Sequence, residues 1–310
     1  MVRNSLQSNL LHTISIPSHS LLLSSLRSIL FKIAKDVLIA QGHYLYGGKD
    51  PHDHSAMKAA AHELLGASHY YDFFDSINLP IIPTLQTIVD YKGFRIVALP
   101  LLPISKETII YGSCDAGVTV HNEDPVAAEL MKQAAIHLHL AEHLVRGKAL
   151  WTAGDVEVHR ARDGRMFLLD LARCFPPENV SFALQVAPDT SFRSTTVFHR
   201  MLRPEALMHW KAAGGEPLSP DALTGWGVEG HAQHVVNLLK ATSHVLTVQV
   251  AVCRHLISWK GILKNIYIST EFHRFGLNMR NLFIVYKKIL ERLENLPLTW
   301  ILFKNCLREK

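Results

Sequence analysis

The chain has 310 residues, of which 48% are hydrophobic and 19% are charged, so a folded core is expected and a disordered chain is excluded. No apolar run reaches the ~18–20 residues of a membrane-spanning helix. The four cysteines lie 60, 79 and 53 positions apart, which excludes a CxxC zinc knuckle and favours a reducing compartment without a disulfide framework.

The net charge of +5 is unevenly distributed along the chain. Residues 1–35 carry +4 and residues 260–310 carry +6, so the middle is acidic, with −5. A basic end attracts RNA or acidic membrane surfaces, although a solvated helix face is the plainer interpretation. We therefore divide the chain into a basic Ser/Leu-rich leader (1–39), a central domain (40–240) and a helical basic extension (241–310).

The first elements in chain order are a helix over 27–40, from its apolar spacing, and a second helix over 55–71. Two strands follow, Ile81 to Tyr91 and Phe94 to Leu102, joined at Lys92-Gly93. The second of these strands is nearly all apolar, which is typical of a strand that is covered on both faces.

The next elements surround the most informative segment, 111–178. Asp124 is predicted to cap a helix that has Pro125 in its first turn and runs to about His139. Asp163-Gly164 predicts the turn of a hairpin between strands at 155–159 and 165–172. From Pro204 onward the pattern is mainly helical. The fold class is therefore α+β, with mixed helices, antiparallel strands and a helical C-terminal part.

The hairpin carries a cluster of arginines within fourteen residues. Guanidinium groups on one hairpin are suited to a groove that binds phosphate or RNA. Pairing with the acids of the same hairpin is the competing interpretation. The candidate binding residues are Arg160, Arg162, Arg165 and Arg173, together with Asp155 and Asp170.

The order of elements also has a kinase-like layout, because a helix with Glu63 and an apolar strand precede a hairpin that ends at Asp170. In that layout Asp170 is the metal ligand, Asp155 or Glu157 is the catalytic-loop analogue, and Lys58 or Lys49 contacts phosphate. A GxGxxG loop and an HRD motif are missing, and similarity of layout does not establish function. The alternative is that Asp170 pairs with Arg173 at a strand end.

Among the 19 histidines, His139 and His143 are predicted to share one helix face at i, i+4. The metalloprotease pattern HExxH is not met there, since Glu142 precedes a histidine instead of following one. Histidines in the core or on the surface are the default, so we predict neither a metal nor another cofactor.

Several motifs in order resemble the CLU domain, the central domain of the clustered-mitochondria proteins. The resemblance covers about 40–240. Cys114 and Ala116 depart from it, since they stand where the family usually has acidic or glycine residues. The matching pieces are Tyr46-Gly47-Gly48, SAMKAAAHELLGASHYY (55–71), IVDYKGFRIVALPLLPI (88–104), YGSCDAGVTVH (111–121), GDVEVHRARDGRMFLLDLARCFPPE (154–178) and RMLRPE (200–205), with a weaker match at 271–282.

The resemblance implies a cytoplasmic, non-enzymatic protein that acts in mitochondrial distribution and binds messenger RNAs for mitochondrial proteins. The partners that it implies are mRNA or ribosome-associated factors and the mitochondrial surface. The family's upstream domain and tetratricopeptide repeats have no counterpart in the sequence. The alternatives are a nucleotide-binding enzyme of kinase-like layout and a truncated paralogue without activity.

Overall fold

The computed structural model describes residues 11–13, 28–38, 42–77, 80–115, 117–178, 200–224, 228–229, 231–258, 268–276 and 278–279. Most of the leader and the chain beyond 279 lie outside the described residues, so the predictions made for them stay predictions. The mixture of helices and mainly antiparallel strands confirms the α+β class. The helices are α1 (Asp53–Ser76), α2 (Pro125–His137), α3 (Pro204–Ala212), α4 (His231–Ser258) and α5 (Ile268–Arg274).

The first sheet is antiparallel and has the order β1-β2-β5-β4. Its strands are β1 (Leu11–Thr13), β2 (Ile29–Ala34), β4 (Thr87–Tyr91) and β5 (Phe94–Pro100). The helix predicted over 27–40 is therefore wrong. The strand β2 has apolar residues on both faces, and a short run of this kind satisfies helical spacing as well as strand spacing.

Helix α1 covers the inner face of the first sheet. Ala34 of β2 and Val97 of β5 are buried there against Ala60 of the helix. The helix continues beyond the predicted 55–71, and its far end buries the aromatic rings of Tyr70 and Phe74 in the main core. One helix therefore packs against the first sheet and against the core of the rest of the domain.

The second sheet has the order β3-β10-β9-β6, with strands β3 (Ile81–Pro83), β6 (Ile109–Tyr111), β9 (Glu157–Arg160) and β10 (Met166–Leu169). The prediction of one strand from Ile81 to Tyr91 is wrong, because the chain changes sheets within it. Strand β3 pairs in parallel with β10, and Thr84 then bonds the Leu168 carbonyl through both its N–H (2.8 Å) and its hydroxyl (2.9 Å). After this anchor the chain enters β4.

The hairpin predicted around Asp163-Gly164 is confirmed. Strands β9 and β10 pair antiparallel, Gly164 has φ +85°, and the Ala161 N–H donates to the Arg165 carbonyl at 2.9 Å. The second strand is shorter than predicted, because Asp170 takes a left-handed conformation (φ 58°, ψ 50°) and a 3-10 turn, 171–173, follows. Asp170 therefore lies just beyond the end of the β9–β10 ladder.

The start of α2 is also as predicted, with Pro125 in the first turn. The Asp124 carboxylate accepts hydrogen bonds from the N–H groups of Val126 (3.1 Å) and Ala127 (2.9 Å). The helix ends at His137, close to the predicted end at about His139, but His139 lies beyond it with φ 60° and His143 begins a strand, His143–Val145. The shared helix face of these two histidines is therefore wrong.

A third, small sheet has the order β11-β7-β8, with β7 (His143–Val145), β8 (Lys148–Leu150) and β11 (Val228–Glu229). It brings the chain beyond Pro204 against the centre of the fold, and Leu207, Leu218 and Leu238 join the main core. Among the residues that the structure describes, no helix combines the length and the apolar character needed to cross a bilayer.

Candidate functional site

Arg173 lies in the interior at the centre of a charged network. Its side chain is 3% exposed, and Nε and Nη2 donate to the two carboxylate oxygens of Asp155 at 2.6 and 2.7 Å. A third guanidinium nitrogen, Nη1, donates to Asp221 at 3.2 Å. Two carboxylates compensate this buried cation, as the burial of a charge requires. The sequence placed Arg173 among the binding residues, but a buried arginine with these partners is not presented to a ligand.

Asp221 is the fully buried acid of this network, and sequence reasoning did not identify it. Its Oδ2 lies 3.0 Å from His143 Nε2 and accepts the Gly154 N–H at 2.7 Å, while Thr224 donates to Oδ1 at 3.0 Å. Burial alone would raise the pKa of the Asp221 carboxyl, but the Arg173 guanidinium, His143 and the Gly154 N–H together hold it well below its usual value. No local signal marks Asp221, because its partners are distant in sequence.

Next to the network, the carboxyl groups of Glu157 on β9 and Asp170 after β10 lie close enough to affect each other's pKa. Burial, followed by the nearby Asp155 carboxylate, raises the pKa of Glu157 to about 7. Burial and the charge of Glu157 raise the pKa of Asp170 well above its usual value. Two carboxyl groups this close favour holding a proton between them.

His159 extends this pair toward the protein surface. Its Nδ1 lies 3.2 Å from the Ser105 carbonyl, which only accepts hydrogen bonds, so Nδ1 carries the proton. Its Nε2 is then an acceptor, 2.9 Å from Glu157 Oε2, and Glu157 is the donor in its protonated form. Thr108 Oγ1 is also 2.9 Å from Nδ1, but its hydroxyl donates to the Ser105 carbonyl at 2.7 Å, so it is not activated as a nucleophile.

The charge of Lys32 on β2, a residue that the sequence did not single out, acts on both acids of this pair. Its charge opposes the rise in the pKa of Asp170 and also that of Glu63 on α1, which burial raises to about 7. Lys58, one of the two lysines predicted to contact phosphate, lies instead where it lowers the pKa of His54. The structure thus brings together a lysine from the first sheet and acids from α1 and the second sheet.

The three remaining arginines of the hairpin lie at or near the surface. Arg160 Nη2 is 2.6 Å from Asp124 Oδ2, so it is tied to the start of α2. Arg165 pairs with Asp163 at 2.7 Å and lies over the ring of Phe167. Arg162 is exposed in the turn. These side chains lie apart from Arg173, so the four arginines do not line one groove.

No group of three or more His, Cys, Asp or Glu side chains has the geometry of a metal site within the part of the chain that the structure describes. Asp155 and Asp221 pair with Arg173, and Glu157 and Asp170 are placed to share a proton.

Comparison with known proteins gives a family match over residues 25–182, to the model described as CLU, Clustered mitochondria. Over 162 residues the chain is 33% identical to "Protein clueless" of Drosophila virilis, a match that covers 49% of this chain and 10% of that protein. It is 32% identical to a "Clustered mitochondria protein homolog" of Anopheles gambiae and 31% identical to one of Danio rerio, with 49% of this chain covered and 10% and 11% of those proteins. The chain therefore matches about a tenth of the length of these relatives. No solved structure matched.

Proposed function

Because the chain belongs to the clustered mitochondria (CLU) family, we propose that it acts in the cytoplasm in the distribution of mitochondria, without catalysing a reaction. The family match over residues 25–182 is the observation that carries this proposal. It spans β2 to β10 and so includes three of the four strands of the first sheet, the hairpin and most of the buried charged network. The expected partners are the mitochondrial surface and mRNA or ribosome-associated factors.

The distribution of mitochondria in cells tests the first part of the proposal. Removal of the protein is expected to change dispersed mitochondria into clustered ones under the fluorescence microscope, and re-expression is expected to reverse the change. Mitochondria that stay dispersed after removal, in cells that express no other family member, would contradict the proposal.

The finer part of the proposal is that the hairpin turn contacts mRNA. Arg162 and Arg165 are exposed at this turn, and Arg160 lies close behind them on β9. Exposed guanidinium groups bind phosphate oxygens with paired N–H donors, which gives affinity without base specificity. The Asp163 carboxylate competes for Arg165, so the strength of the contact is expected to depend on how readily that exposed pair opens.

Crosslinking to cellular RNA tests this contact. The double variant Arg162→Ala/Arg165→Ala removes two exposed charges and leaves the buried Arg173 network intact. A matched control is Lys211→Ala/Lys240→Ala, which removes two exposed charges from helices α3 and α4. Crosslinking is expected to fall several-fold for the arginine variant alone. Equal crosslinking by the two variants would contradict an RNA contact at the hairpin.

One observation favours a second candidate function, nucleotide binding. In kinase-like folds a strand lysine pairs with a glutamate on the neighbouring helix, and an aspartate after a hairpin holds the metal. Lys32, Glu63 and Asp170 have these positions in the sequence of elements and interact electrostatically. Thermal unfolding with and without ATP and Mg²⁺ tests it. A stabilisation that Lys32→Ala abolishes and Lys35→Ala retains is expected, and no shift for the wild type would contradict it.

A further inference from the structure

The first sheet has an apolar outer face, opposite helix α1. Residues alternate along its strands, so the positions paired across β2, β5 and β4 that do not face α1 form one surface. Four of its large side chains are exposed, namely Ile29 (40%), Val89 (49%), Tyr91 (59%) and Phe94 (49%). We call this surface the outer sheet face; its members are Ile29, Phe31, Ile33, Thr87, Val89, Tyr91, Phe94, Ile96, Ala98 and Pro100.

A solvated sheet face is normally polar, and this one is not. Antiparallel sheets with one face in water alternate apolar and polar residues, whereas nine of these ten positions are apolar or aromatic. The sequence of β5 predicts cover on both faces; among the described residues, α1 covers the inner face, while Ile29, Val89, Tyr91 and Phe94 of the outer face are exposed. A contiguous apolar surface of this kind is typical of a binding surface.

The charge at the outer sheet face has one sign. Lys35 Nζ lies 5.4 Å from the centre of the Phe94 ring, and Lys92 Nζ lies 5.3 Å from that of Tyr91. None of the outward positions of β2, β4 and β5 carries an acid. The nearest acid in the hairpin, Asp90, occupies an inner position and pairs with Arg95 at 2.7 Å.

The aromatic rings and a lysine meet at the tip of a tight hairpin. Lys92 and Gly93 both have positive φ (48° and 82°), which is the two-residue turn that closes an antiparallel hairpin. Tyr91 and Phe94 pair directly beside this turn and are both exposed. An exposed tip with two aromatic rings, and with lysines whose ammonium groups can reach outward, has the composition of membrane interfaces.

We propose that the outer sheet face binds the surface of an anionic lipid bilayer, with Tyr91 and Phe94 in the headgroup region and Lys35 and Lys92 against lipid phosphates. Apolar area and lysine charge act together in such binding, and neither is sufficient alone. A second copy of the chain is a poorer occupant, because a symmetric contact would bring lysines to a face that has no acid. A protein partner with an acidic apolar helix is the occupant that the test must distinguish.

The inference rests on the proposed function only for its cellular setting, where the mitochondrial surface is the expected partner. It uses a different surface from the RNA contact, since Arg162 and Arg165 lie on the β9–β10 turn. If the hairpin does not contact RNA, vesicle binding is still expected. If the outer sheet face does not bind vesicles, the tests of mitochondrial distribution and RNA crosslinking still decide the proposed function.

Co-sedimentation of the full chain with vesicles tests the proposal, using phosphatidylcholine alone and phosphatidylcholine mixed with phosphatidylserine. The two test variants are Tyr91→Ser/Phe94→Ser and Lys35→Glu/Lys92→Glu. Their controls are Tyr71→Ser/Leu85→Ser, which removes two exposed apolar side chains elsewhere (51% and 77% exposed), and Lys211→Glu/Lys240→Glu. All the substituted side chains are exposed or at the rim of the face, so the fold is expected to survive, and circular dichroism checks this.

The expected result is binding to anionic vesicles that weakens with salt, with on the order of tenfold loss in each test variant and little change in the controls. A Tyr91→Trp variant is expected to shift its fluorescence to shorter wavelength with anionic vesicles only. Absence of vesicle binding at low salt would overturn the proposal. Equal vesicle binding by the test and control variants would also overturn it. The same holds if the test variants keep full vesicle binding but lose binding to a protein partner.

Discussion

Arg173 and Asp221 lie 48 positions apart and form an ion pair of 3.2 Å in which the two side chains are 3% and 0% exposed. Arg173 lies inside the segment that matches the family, 25–182, and Asp221 lies beyond it. The same carboxylate also accepts the Gly154 N–H and pairs with His143. The region around residue 221 thus completes the polar interior of the matched segment.

Replacement of Asp221 by alanine is expected to destabilise the fold strongly. It leaves the Arg173 guanidinium with one of its two carboxylates and removes the acceptor of the Gly154 N–H, and breaking a buried pair from one side costs about 3–5 kcal/mol. Urea unfolding measures the change. Asp163→Ala is the control, since its pair with Arg165 is exposed and screened by water, so its loss should change the free energy of unfolding little. A cost for Asp221→Ala as small as that of the control would contradict the network.

Truncation of the chain before residue 221 is also expected to destabilise the matched segment. A fragment of residues 25–182 lacks Asp221 and also the core leucines Leu207 and Leu218, whereas a fragment of residues 25–258 keeps all three. The shorter fragment is expected to lose cooperative thermal unfolding and to bind a hydrophobic dye, because Arg173 and His143 lose a buried partner and the core loses its cover. Equal, cooperative unfolding of both fragments would show that the matched segment folds alone.

The pH dependence of stability is expected to change in Glu157→Gln. The pKa of Glu157 is raised from 4.5 to about 7 in the folded protein, so the folded state binds this proton more tightly than the unfolded chain does. The contribution of Glu157 to the free energy of unfolding is complete below about pH 4.5 and is lost as the pH rises through about 7. Glutamine stays neutral and keeps a donor toward His159, so the variant is expected to gain ~2 kcal/mol relative to wild type above pH 7.

Urea unfolding at several pH values measures this effect, with Glu129→Gln on the exposed side of α2 as the control. The control is expected to have the slope of the wild type. A Glu157→Gln variant with an unchanged slope between about pH 5 and pH 8 would show that Glu157 is already ionised in the folded state.

Gly66→Ala is expected to destabilise the protein although alanine favours helices by about 1 kcal/mol. A Cβ at this position of α1 would lie 2.5 Å from Cys174 Sγ and 2.6 Å from the Leu171 carbonyl oxygen. Overpacking of this kind costs about 1–3 kcal/mol, so a net loss of ~1 kcal/mol or more is expected in thermal unfolding. Adding Cys174→Ala should restore part of the loss, and a stable single variant would contradict the close approach of α1 to the 171–173 turn.

The features that the sequence predicts well depend on hydrogen bonds between residues close in the chain. Asp124 at the start of α2 and Gly164 in the hairpin are of this kind, because the cap and the turn are determined by a few neighbouring residues. The division of 81–91 between two sheets depends instead on β10, which is distant in sequence. The pairing of Arg173 with Asp155 and Asp221 likewise depends on residues distant in sequence. Nothing near Arg173 in the chain distinguishes a buried guanidinium from an exposed one.

The proximity of Lys32 to Asp170 could not be predicted from the sequence either. It required that 29–34 be recognised as a strand, and the apolar residues on both of its faces obscured that. The acids were easier to identify than the cation, because Asp155, Glu157 and Asp170 lie on a hairpin with a strong local signal.

The parallel pairing of β3 with β10 affects how the chain folds as it is synthesised. Strand β3, which begins at Ile81, can pair only after β10, which begins at Met166, has been synthesised. At about 5–20 residues per second, the ribosome needs several seconds to add the residues between them. During that interval the apolar side of α1, with Tyr70 and Phe74, has no finished core to enter. Contacts of such long sequence separation slow folding, so this apolar side of α1 stays uncovered until the hairpin has emerged.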